Sequence, residues 1–142
     1  MDPAPAKPDA PVPGLEQDAA SYLGYLIMDA VVDTYFPVIE GLSDRLDVLE
    51  DDIMEGRDDA VLPAIMGLKK QTLGVRKLIT PLRDIFMVFL RGPGSQFGHK
   101  TFAYYQDVLD HLLRVSDAID MHRDILASAV DLYMSTVSNR TN

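Results

Sequence analysis

The chain has 142 residues, is 47% hydrophobic, carries 22 acidic against 13 basic side chains for a formal charge of −9, and contains no cysteine. One packed domain fits that length, and the acidic balance argues against nucleic acid, whose phosphates require an excess of Lys and Arg. The lack of cysteine excludes disulfides, thiolate metal sites and cysteine nucleophiles; cations or basic surfaces are the partners such a charge favours.

Residues 1 to 16, MDPAPAKPDAPVPGLE, hold five of the nine prolines and read as a disordered leader outside a helical domain over 17–142. There is no signal-peptide pattern, and no uninterrupted apolar run reaches the roughly 18 to 20 residues of a membrane span, so the chain reads as soluble. A first helix is predicted over about 17–55, with the seam Tyr35, Ile39, Leu42, Leu46, Leu49 and Ile53. Pro37 removes a backbone donor inside it and should bend it. Gly56-Arg57-Asp58 reads as a tight connection to a second helix over about 58–91, whose seam is Ile65, Leu68, Thr72, Val75, Ile79, Leu82, Phe86 and Phe89. After a Gly-Pro-Gly stop, a third helix over about 101–142 presents Val108, Leu112, Val115, Ile119, Leu126, Ala129 and Tyr133. The prediction is an all-α fold of three long helices, an antiparallel hairpin packed along an extended stalk, so that the first and third helices run the same way. Acids crowd the first helix and bases the second, which predicts pairing across the hairpin. The internal methionines read as core fillers, and His99 and His122 as structural or solvent-facing.

Aspartate recurs every seventh residue along the third helix, at Asp110, Asp117, Asp124 and Asp131, drawing an acidic stripe on one face. Near its start, Asp107, Asp110 and His111 project from adjacent turns. Carboxylates suit Mg²⁺, and an imidazole beside them admits Co²⁺, Ni²⁺ or Zn²⁺. Asp29 and Asp33, four apart in an apolar stretch of the first helix, either mark an exposed edge or face a partner. With the two helices parallel, Asp29 stands level with Asp107, and a carboxylate-rich cation site would draw on both. No phosphate loop, nucleophile elbow or HExxH motif is present, and no enzyme is expected.

Three blocks, Asp29-Ala-Val-Val-Asp-Thr-Tyr-Phe-Pro37, Pro81-Leu-Arg-Asp84, and Asp107-Val-Leu-Asp-His111 continuing to Ser138-Asn-Arg-Thr-Asn142, resemble the CorA family of magnesium and cobalt transport channels over about residues 20 to 142. The resemblance implies a cytosolic helical and stalk segment, at the cytosolic face of the cell membrane, in a homopentamer whose interfacial divalent cations, Mg²⁺ or Co²⁺, regulate gating. It assigns Asp29, Asp107 and His111 to the regulatory metal. Asp131 falls at an acidic ring below the pore and Asn142 at its polar mouth, with Asp33, Asp110, Asp117 and Asp124 as further cation contacts. It implies too that an amino-terminal α/β domain and the membrane helices with their Gly-Met-Asn motif lie outside the segment, so membrane contact would come only through those missing helices. The rival expectation is a free-standing acidic scaffold that binds basic protein surfaces.

Overall fold

A computed structural model describes residues 15–142. Residues 1–14 of the expected leader lie outside them, and Leu15 and Glu16 already belong to the first helix. The elements are α1 (Leu15–Asp33), α2 (Tyr35–Glu55), α3 (Asp58–Arg91), a 3-10 turn (Pro93–Gln96) and α4 (His99–Thr141). The described residues are all-α, as the apolar periodicity predicts, with no strand among them.

Helices α1 and α2 are two halves of one path, and the division has a local cause. Pro37 has no N–H to give the Asp33 carbonyl. Thr34, at the junction, keeps helical angles (φ −66°, ψ −19°), and its hydroxyl donates to the Val31 carbonyl at 2.6 Å. At the far end Gly56 takes φ 75°, and its N–H turns back to the Asp52 and Ile53 carbonyls. This left-handed cap reverses the chain into α3 at a position where a Cβ is strained.

Side-chain contacts fix the direction of each helix. Near the start of α1, Ser21 accepts a hydrogen bond from Tyr105 Oη at 2.8 Å, early in α4. Late in α4, Arg140 donates to Asp58 at 2.6 Å, just past the end of α2. The α1–α2 path therefore runs parallel to α4. Arg83, late in α3, bonds Ser116 at 3.0 Å midway along α4, which sets α3 antiparallel to it.

Two apolar clusters fill the space between the helices. Leu42, Leu46, Leu49 and Ile53 of α2 meet Val61, Ile65 and Leu68 of α3 and Ile119, Leu126 and Ala129 of α4. Nearer the other end, Val32, Ile79, Phe86, Tyr105, Val108, Leu112 and Val115 pack with flanking aromatics. At 1.5 Å per residue, the 43 residues of α4 span about 65 Å, and the heptad aspartates fall on the side opposite its buried seam.

Two expectations are corrected. Met54, Met66, Met121 and Met134 lie in solvent rather than in the core; they occupy helix positions away from every seam. Acids of α2 make no ion pair with bases of α3 among the described residues; across the hairpin Arg45 meets the neutral Gln71 instead. Separately, the path Ala19–Glu55 is long and apolar enough, by length and composition alone, to cross a membrane, with an 18-residue window of mean hydropathy 1.2 of which only 6% is buried. Leu23, Ile27 and Val31 are exposed on it, because α1 packs on α4 and leaves its opposite face uncovered.

Candidate metal site

Asp29 and Asp33 occupy successive turns of α1, and His111 faces them from α4. The Nδ1 atom of His111 lies 3.8 Å from Asp29 Oδ1 and 3.6 Å from Asp33 Oδ1. One ligand atom from each of the three residues falls within 4.8 Å of the other two. The separations from Nδ1 are too long for hydrogen bonds. They are shorter than about 4.2 Å, twice the metal–ligand distance of roughly 2.1 Å expected for imidazole or carboxylate, so an ion fits between the imidazole and each carboxylate. His111 Nδ1 is buried and has no hydrogen-bond partner among the described residues, an exceptional state for such an atom, and a cation held with the two carboxylates would satisfy it.

The imidazole is flanked from other sides as well. Phe36 meets it edge-on, with centroids 6.0 Å apart at 83°. Nε2 faces Asp107 Oδ2 at 4.0 Å, beyond hydrogen-bond reach, so a carboxylate flanks the ring on that side without holding it. Tyr25 adjoins the cluster; partial burial first, then the negative charges of Asp29 and Asp107, push its hydroxyl above the usual tyrosine pKa.

The structure thus brings together Asp29, Asp33 and His111, with Asp107 on the far edge of the ring. Asp33, expected only as an additional contact, shares the open space with Nδ1. Asp110, Asp117, Asp124 and Asp131 are exposed along α4, away from this cluster. Asp124 lies 3.6 Å from Arg123, Asp131 borders a groove with Lys69 and Arg123, and Asn142 lies beyond the end of α4. Phe36 and Tyr25 were not singled out from the sequence. Their aromatic character was legible, but nothing in their spacing marked them as neighbours of a site on another helix.

Residues 13–142 match the family model described as CorA-like Mg²⁺ transporter protein. The cobalt/magnesium transport protein CorA of Thermotoga maritima is 34% identical over 128 residues, covering 90% of this chain and 36% of that protein. YfjQ of Bacillus subtilis is 30% identical over 130 residues, 92% of this chain and 41% of that one. The cobalt/magnesium transport protein CorA of Methanocaldococcus jannaschii is 25% identical over 121 residues, 85% and 38% respectively. The chain therefore spans about two fifths of the length of the relatives it matches. From the matched segment, the chain belongs to the CorA-like magnesium transporter family.

Proposed function

We propose that the chain is a cytosolic, divalent-cation-sensing helical segment of a CorA-like magnesium and cobalt channel, in which cations bound at interfaces between subunits regulate gating. The observation that carries the cation-binding part of this reading is the convergence, within one copy, of Asp29, Asp33 and His111 from two helices around an imidazole nitrogen with no hydrogen-bond partner among the described residues; the interface part rests on the family resemblance. Two carboxylates without an ion repel each other across a short gap; a divalent cation removes that repulsion and favours the packed arrangement. A ligand at a hundred times its dissociation constant stabilises the state it binds by about 2.7 kcal/mol, enough to shift a two-state equilibrium about a hundredfold.

In this reading several copies, five in a ring, stand with α4 toward a common axis, and the heptad aspartates become stacked negative rings that end at Asp131 and Asn142. Loss of Mg²⁺ lets those rings separate. The coordinating set is mixed: carboxylates accept Mg²⁺ with water completing its shell, and the imidazole raises the affinity for Co²⁺. The matched relatives carry names of transport, and the reading assigns no catalytic role to any residue.

Protection from trypsin tests the proposal. Millimolar Mg²⁺ or lower Co²⁺ should slow cleavage of the wild-type protein, and Asp107→Ala should weaken that protection by removing a negative charge 4.0 Å from the imidazole. Protection equal in the two proteins would remove Asp107 from the site. No protection by either metal would remove the sensing function.

A further inference from the structure

The charges of α2 and α3 are sorted, and among the described residues the two helices do not pair them with each other. Along α2, Glu40, Asp44, Asp47 and Asp51 step by four, three and four residues, so they share one exposed face. None of the four makes an ion pair among the described residues. Between α3 and α4 lies a groove lined by Lys69, Thr72, Leu73, Arg76, Arg123 and Leu126. Two cationic arms flank its apolar floor from α3 and one from α4. Lys69 pairs with no carboxylate among the described residues, and Arg76 and Arg123 have only loose partners at 3.6 Å, Asp120 and Asp124.

Level and side both agree with a match between copies. Arg45 of α2 reaches Gln71 of α3, and the two helices are antiparallel. Counting from that contact, Asp47 stands level with Lys69 and Glu40 level with Arg76, the acids and the bases each seven residues apart. Rotation about an axis along the helices leaves these levels unchanged. On α4, His111 faces the α1 side while Ser116 and Asp120 face α3, so the acidic and basic surfaces lie on opposite flanks of the stalk. Copies arranged side by side around an axis then present the α2 flank of one to the α3 flank of the next.

We propose that the acidic outer face of α2 in one copy docks on the Lys69–Arg76–Arg123 groove of its neighbour, a head-to-tail contact that repeats around the ring. This rests on the reading that copies of the chain stand side by side; it adds which surfaces meet and in what register. The opposite charges steer encounter and fix the level, and Leu73 and Leu126 supply the apolar contact beneath them.

The absence of native cysteine permits a direct test. Asp44→Cys and Leu73→Cys are exposed single substitutions that leave both apolar clusters untouched. Oxidised together, they should form a mixed disulfide at least about fivefold more abundant than either variant alone gives. Adding Lys69→Glu to the Leu73→Cys copy, or raising NaCl to about 0.5 M, should cut that yield severalfold, because salt screens contacts near the surface. No excess of the mixed product, or an excess indifferent to Lys69→Glu and salt, overturns the proposal. Repeating the reaction with EDTA and in a His111→Ala background separates it from the sensing function. A mixed disulfide that persists where Mg²⁺ protection never occurs removes only the metal reading; protection with no mixed disulfide removes only this docking mode.

Discussion

His122 sits on the buried seam of α4 between Ile119 and Leu126, almost wholly out of water, and its Nδ1 has no hydrogen-bond partner among the described residues. Burial lowers its pKa, against opposing help from the Ala118 carbonyl and Asp47. The sign of the linkage follows. The unfolded histidine takes up a proton below about pH 6.5 and the folded one only at lower pH, so the stability is intact above that value and is lost as pH falls toward the folded pKa. His122→Leu, which completes the apolar seam, should flatten this acid dependence and raise stability by about 1 kcal/mol; thermal melts between pH 5 and 8 measure both. A slope unchanged in the variant would place the acid sensitivity elsewhere. Residue-scale detail was the least legible part of the sequence. The four-residue step from Asp107 to His111 put the two side chains on neighbouring turns, but it could not tell which ring nitrogen faces Asp107. In the observed orientation, with Phe36 edge-on to the ring, Asp33 rather than Asp107 lies beside Nδ1.

Elements were read more easily, because a helix announces its buried face by spacing. The steps of three and four through Leu42, Leu46, Leu49 and Ile53, and again through Val108, Leu112, Val115 and Ile119, select residues that are buried in the structure. In the seam of α3, Ile65, Leu68, the polar Thr72, Ile79 and Phe86 are buried, whereas Val75, Leu82 and Phe89 are only half-buried. Pro37 announced a bend, though not that the helix would divide at Thr34, where the N–H and the hydroxyl both turn to the Val31 carbonyl. The Gly56 turn is the element-scale feature most open to test. Its φ of 75° disfavours any side chain, and a Cβ there would come 2.9 Å from an Arg140 guanidinium nitrogen. Arg140 also holds Asp58, so the strain would reach the junction of three helices. Gly56→Ala should therefore cost about 1 to 2 kcal/mol, read as a lower denaturant midpoint with the slope unchanged. A midpoint equal to wild type would show that the turn relaxes freely.

At the scale of the whole molecule, composition pointed to cations and the charge sorting to a partner, but neither told where the charges go. Within one copy α2 and α3 do not neutralise each other, because their interface is made by Leu42, Leu46, Leu49 and the α3 seam, and the charged positions rotate outward. The same logic applies to the aspartates of α4, which cannot meet one another along a single straight helix and acquire a common purpose only when copies converge. Likewise the exposed apolar face of α1 is a property of the packed object: the periodicity of its sequence is weak, and only the placement of α4 decides which side is covered. The central claim is nonetheless local, that two carboxylates of α1 and an imidazole of α4 hold a divalent cation. Calorimetric titration of Co²⁺ into the wild-type protein and into the Asp29→Asn/His111→Ala double variant, with helix content checked by circular dichroism, tests it most directly. The account predicts saturable binding by the wild type that weakens by at least about tenfold in the variant; equal binding by the two, or no binding by the wild type, would contradict it.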